Sequence, residues 1–282
     1  MKRLLGRKMA RTLPECTQRP IRKFFDLYRS VVEWSYLSGL RSTEGLSLPD
    51  FMGIGAQKAG TRWLHENLCA HPELYLATPK ELHFFNWYLY RGFNYYSRKF
   101  EPGRGMLKGE VTPAYSQLPL SRIRFIREFM PDVKFILILR NPVDRAWSNA
   151  QMSIVRHTGR SSEDVGEAEF VAHFNSSHST RRGDYPTILD NWLSVFPREQ
   201  IFIGFFEDLS ERPKELLGDI FEFLGVSRDV DWELFPYGRV FAKGSKHTPM
   251  PDKFREYLQD MYRRDIELLY ERFGEPVKGW RC

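Results

Sequence analysis

Two segments of this 282-residue sequence carry side chains whose types and spacing suit the handling of an anion. The first runs Gly53-Ile54-Gly55-Ala56-Gln57-Lys58-Ala59-Gly60-Thr61-Arg62. Glycines let a backbone approach a ligand closely, amide N–H groups at a helix start point outward, and Lys58 adds a compact positive charge. Together these give the chemistry of a phosphate cradle. It departs from the nucleoside-triphosphate version, which places Lys and then Ser or Thr directly after the second glycine of a Gly-x4-Gly spacing. Here Thr61 follows Gly60, and the lysine sits inside the loop. Nor does it fit the dinucleotide fingerprint, because the third glycine is missing from its place after Gly53-x-Gly55.

The second segment begins where the apolar run Lys134–Leu139 meets Arg140. In a nucleoside triphosphatase the later buried strand commonly ends in an acid that holds Mg²⁺. A cation in that place suits an anion bound without metal. Asn141 and Pro142 then read as a helix start, with Ser148 further along the helix. The guanidinium fork of Arg140 and the hydroxyl of Ser148 suit one phosphate between them.

These residues need elements to position them. Strands are predicted over 51–55, 73–77, 134–139 and 200–206, and helices over 61–69, after Pro142, and over 213–224. KFILIL at 134–139 is an unbroken apolar run of the kind found in a parallel sheet covered on both faces. Strand then helix, repeated, predicts an α/β fold, a parallel sheet flanked by helices with a P-loop-like turn after its first strand, in a single domain over 46–282. Residues 1–45 read as a basic extension. Within it, Ile21, Phe24, Phe25, Tyr28, Val31, Val32 and Trp34 recur at helical spacing. Two readings are open for that helix: packed on the domain, or lying amphipathically on a membrane or partner. The stretch 38–49, rich in Gly, Ser and Thr, reads as the linker.

Composition narrows the function. The formal charge is +6, with 42 basic and 36 acidic side chains. Nine of the basic residues and two of the acidic ones lie in positions 1–30, which leaves 33 basic and 34 acidic groups over the rest. A nearly neutral body argues against a broad nucleic-acid face. Three dispersed cysteines, Cys16, Cys69 and Cys282, support neither a disulfide framework nor a cysteine-rich metal site, and fit a reducing compartment. No apolar run approaches the roughly 20 residues of a membrane span, and the first twenty residues lack a signal-peptide core. A cytoplasmic location is expected.

Taken together, the segments resemble the PAPS-dependent sulfotransferases (PAPS is 3′-phosphoadenosine 5′-phosphosulfate), especially the branch of the heparan sulfate sulfotransferases and their bacterial relatives. The resemblance spans roughly 49–274. It implies that Lys58, Ala59, Gly60, Thr61 and Arg62 form the 5′-phosphosulfate loop, and that Arg140 and Ser148 hold the 3′-phosphate. Lys80-Glu81-Leu82-His83-Phe84-Phe85 is similar to the family's Glu-x-His-Phe-Phe segment, in which the Glu is the general base. Glu81 is the first choice for that role. His83, on the same face if the segment is extended, holds Glu81, binds acceptor or is itself the base. Lys243-Gly244-Ser245-Lys246-His247 resembles the loop that closes over the nucleotide phosphates, and Glu110 to Tyr115 the segment on the acceptor side. Glu110 and Trp87 are thus candidate acceptor contacts. Most of the eight aromatics from Phe84 to Tyr96 are expected to pack against the sheet.

The resemblance implies sulfuryl transfer from PAPS, without metal, to a hydroxyl or amine of a glycan or small metabolite. Val111 and Asn86 stand where the heparan sulfate enzymes carry Lys and Asp, and a cysteine pair before the late loop is missing, so the acceptor stays open. An ATP-dependent small-molecule kinase and a non-catalytic docking protein are the alternatives.

Overall fold

Five short parallel strands form the sheet, four of them from the apolar runs of the sequence. In the computed structural model, which describes residues 15–156, 158–161, 164–239 and 249–281 (backbone alone for 15–23 and 156), they are β1 (Phe51–Gly55), β2 (Leu74–Leu76), β3 (Leu107–Val111), β4 (Lys134–Leu139) and β5 (Ile201–Phe205). Their order across the sheet is β2-β3-β1-β4-β5, with every pairing parallel. In β4 the side chains from Phe135 to Leu139 are all buried, each contributing about 1.5–3 kcal/mol. The chain leaves β1 toward β2 on one side, while β4 lies on the other. The crevice beyond the carboxyl ends of β1 and β4 is therefore the switch point at which open α/β sheets bind ligands.

Helices cover the sheet, among them α1 (Glu15–Leu37), α2 (Thr61–Cys69), α3 (Leu120–Phe129), α4 (Pro142–Ala150), α5 (Glu167–Asn175), α6 (Pro213–Leu224) and α7 (Asp252–Phe273). Two departures from the sequence reading have physical reasons. Strand β3 is hidden because its polar residues are satisfied in place: Lys108 pairs with Asp50 (3.5 Å), and Glu110 is enclosed by hydroxyls. The segment 80–83 is not extended, since Glu81 and His83 both take positive φ.

The N-terminal helix packs on the domain. Val32 and Tyr36 are buried, the Tyr36 hydroxyl accepts the N–H of Phe93 (2.9 Å), and Glu33 pairs with Arg122 of α3 (2.8 Å). Its opposite face stays exposed.

Candidate functional site

The turn between β1 and α2 is held by both ends. The N–H of Ala56 donates to the carbonyl of Ile138 in β4 (2.8 Å), and the N–H of Ala59 donates back to Ala56 (3.2 Å). Lys58 takes φ 73°, a left-handed conformation that non-glycine residues seldom occupy. Gly60, at φ 76°, opens α2. A Cβ there would lie 2.1 Å from Leu209 Cδ2, so glycine is favoured by conformation, and a side chain would have to displace Leu209. With no side chain capping α2, its first turn is left in the arrangement that receives an anion. Thr61 is buried beneath the turn, and Arg62 is exposed beside Glu66 (3.6 Å).

Arg140 stands where β4 ends. Its Nη1 donates to the carbonyl of Lys58 (2.9 Å), and its guanidinium lies over the ring of Phe206, 4.3 Å from the centroid. Burial depresses its pKa, which marks a cation partly stripped of water. Lys58 and Arg140 are thus joined through a backbone carbonyl. Ser148 is half-buried on α4 next to Asn149, whose Nδ2 donates to Gln57 Oε1 (3.0 Å). His173 of α5 holds the other side of that amide, with Nε2 2.9 Å from Asn149 Oδ1. The chain Gln57–Asn149–His173 braces the cradle from behind. Sequence reading missed it because its members are 92 and 24 residues apart.

On the other side of β1, the segment after β2 runs along the end of β3, with the N–H of Glu81 donating to the carbonyl of Val111 (3.1 Å). Glu81 has φ 65° and His83 φ 53°. Alternating backbone conformation, rather than an extended strand, brings the two side chains together: Glu81 Oε2 lies 3.4 Å from His83 Nε2. Lys80 Nζ binds the other carboxylate oxygen (3.0 Å). The His83 hydrogen bond, with help from Lys80 and against the effect of burial, holds the carboxyl at about 2. His83 is fixed in turn by the Asn86 side chain (3.3 Å from Nδ1 to Oδ1) and by stacking on Trp87 at 3.5 Å between ring centroids. Among the described residues, Lys58, Glu81 and His83 are the only non-glycine residues with positive φ.

Glu110 corrects the sequence reading. It is 1% exposed and does not line an open acceptor site. Its carboxylate receives hydrogen bonds from the hydroxyls of Tyr96, Tyr115 (3.0 Å) and Thr112 (2.6 Å), while burial raises its pKa. The Tyr115 hydroxyl in turn accepts the N–H of Phe84 (2.8 Å). Glu110 therefore orders the backbone that carries His83. Trp87 is half-buried and acts on His83 by stacking. Phe84, Phe85, Phe93 and Tyr96 are fully buried, as expected of a packed lid. The expected closing loop, Lys243, Gly244, Ser245, Lys246 and His247, lies outside the described residues. Tyr237, shortly before it, is tied to the cradle helix, its carbonyl accepting from Trp63 Nε1 (2.7 Å).

Comparison with known proteins follows the same lines. The profile of the sulfotransferase domain family matches residues 48–234. The membrane-associated sulfotransferase kil1 of Dictyostelium discoideum is 25% identical, the alignment covering 83% of this chain and 67% of that protein. Human heparan sulfate glucosamine 3-O-sulfotransferase 6 is 29% identical, over 82% of this chain and 73% of its own length. Among solved structures, a sulfotransferase from Alicyclobacillus acidocaldarius superposes with a TM-score of 0.66 at 28% identity, covering 83% of this chain and 99% of that one.

Proposed function

The chain belongs to the sulfotransferase family, and on that premise we propose that it moves a sulfuryl group from PAPS to a hydroxyl or amine, with Glu81 as general base and Lys58 supporting the leaving group. One observation carries the assignment of roles. Among the described residues, the non-glycine residues held in left-handed backbone conformations are Lys58, Glu81 and His83, and strain of this kind, about 1–3 kcal/mol per residue, concentrates where catalytic geometry demands it.

The donor set fits the nucleotide. A cradle of backbone N–H groups with Lys58 receives the 5′-phosphosulfate, and Arg140 with Ser148 receives the 3′-phosphate. Sulfuryl transfer forms a bond from the acceptor oxygen or nitrogen to sulfur and breaks the bond from sulfur to the 5′-phosphate oxygen, whose electron pair leaves with the nucleotide. Glu81 takes the acceptor proton, and Lys58 meets the charge that grows on the departing phosphate. His83 orients Glu81 through the 3.4 Å contact. The reaction runs without metal in this reading, since β4 ends in Arg140 rather than an acid. The acceptor is a glycan or small metabolite. The exposed free thiol of Cys69 supports a cytoplasmic location, and the basic N-terminal extension docks the enzyme to a partner surface.

Calorimetric titration with 3′,5′-ADP, 5′-ADP and ATP, each in EDTA and again with Mg²⁺, tests the donor. The 3′-phosphate should tighten binding by about tenfold or more, the worth of one or two charge-assisted hydrogen bonds. Equal affinity for 3′,5′-ADP and 5′-ADP, or ATP binding only with Mg²⁺, contradicts it and favours a kinase.

A further inference from the structure

Most of the exposed large apolar side chains among the described residues are gathered in one place. Among the described residues, Phe24, Leu27, Tyr28, Val31, Trp34, Leu37 and Leu40 account for seven of the ten large hydrophobic side chains that stand clearly exposed. The first six lie on α1 at i, i+3 and i+4 spacings, and the strip from Phe24 to Leu37 is about 20 Å long at 1.5 Å per residue. The opposite side of the same helix, with Val32, Tyr36 and half-buried Phe25 and Arg29, is already committed to the body. A helix that is apolar on both sides has two partners, and only one is accounted for.

The geometry points to an anionic lipid surface as the second partner, with α1 lying in the plane of the bilayer interface. Charge decides the occupant. The strip is continuous in sequence with positions 1–30, which carry a net charge of +7, while the rest of the chain is at −1. Anionic headgroups complement that excess, and basic residues beside an apolar strip are the pattern of interfacial helices. A second copy of this chain seated on the strip would bring two +7 segments together. The strip itself is rich in Phe24, Tyr28 and Trp34, whose amphipathic rings suit the headgroup level. No helix among the described residues is long and apolar enough to cross a membrane, so the contact lies on the surface.

This commits the docking role to one surface and stands apart from the transfer chemistry, which the nucleotide titration reads separately. It also places the reaction. Arg29, on the body side of α1, donates to the carbonyl of Asn86 (3.4 Å), whose side chain fixes His83. The lipid-facing strip is therefore about one helix diameter, roughly 10–12 Å, from the segment that holds Glu81 and His83.

Vesicle co-sedimentation of the full chain tests the inference, using phosphatidylcholine alone and phosphatidylcholine with one third phosphatidylglycerol, at low and high salt. The protein should pellet with the anionic vesicles, at least tenfold more weakly with neutral ones, and be released by salt. The combined variant Leu27→Gln, Val31→Gln and Trp34→Gln should lose at least tenfold in vesicle affinity while binding 3′,5′-ADP as the parent does. Arg22→Gln with Lys23→Gln should weaken only the anionic component. Failure to pellet with anionic vesicles, or equal binding by the triple variant, overturns the inference. A concentration-dependent dimer in sedimentation velocity, abolished by the same triple variant, also overturns it and assigns the strip to self-association.

Discussion

Glu81 Oε2 lies 3.4 Å from Nε2 of His83, and this contact is the largest cause that lowers the carboxyl to about 2. A carboxylate held so low is ionised at every working pH, ready to accept a proton but with a modest intrinsic drive to keep it. The sign of its pH effect follows. The folded pKa is below the unfolded one, so the contact contributes stability above about pH 4.5 that is lost as pH falls toward 2. With the side chain 44% exposed, solvent weakens that contribution.

His83→Ala should therefore move the acidic limb of the kcat/KM profile upward, toward the ordinary Glu value, and lower kcat by about tenfold to a thousandfold through lost orientation. The profile measured on variant and parent decides between the roles open to His83. An unshifted limb with kcat abolished would make His83 the base.

Lys58 meets its partner charge most strongly in the transition state. Lys58→Ala should lower kcat by about 10²–10³ with little change in affinity for 3′,5′-ADP. Lys58→Gly should be equally inactive but about 1 kcal/mol more stable than Lys58→Ala, because glycine relieves the φ of 73°. Urea unfolding of the two variants compares them directly. Equal stability would mean that the turn relaxes once the lysine is gone.

Tyr115 links a buried carboxylate to the backbone of the catalytic segment. Tyr115→Phe leaves Phe84 N–H without its 2.8 Å acceptor and removes one donor from Glu110, and should cost about 1–3 kcal/mol in urea unfolding. Burial already raises the Glu110 pKa, so its charge counts against folding as pH climbs above the unfolded value of about 4.5. The penalty of Tyr115→Phe should grow with pH over that range. A penalty independent of pH would mean that Glu110 stays protonated throughout.

The parts of this fold and site that a sequence shows are those written locally. KFILIL at 134–139 shows a buried strand, and the glycines around Lys58 show an anion turn, because each depends on neighbours a few positions away. Glu81 and His83 were legible as types and in spacing, but their meeting depends on left-handed φ at both residues rather than on strand alternation. Glu110 was misplaced because what encloses it, Tyr96 and Tyr115, arrives from opposite directions along the chain. The brace through Gln57, Asn149 and His173 had no local signal, since only the packing of α4 and α5 against the turn after β1 brings it together.

The central claim, sulfuryl transfer with Glu81 as base, is tested most directly by incubating the protein with isotopically labelled PAPS and a panel of hydroxyl and amine acceptors, then following label transfer by mass spectrometry in the parent and in Glu81→Gln. The account predicts a labelled sulfate ester or sulfamate with the parent, and a loss of about 10²–10⁴ in rate for Glu81→Gln with unchanged 3′,5′-ADP binding. Product formed at equal rates by both proteins would contradict it.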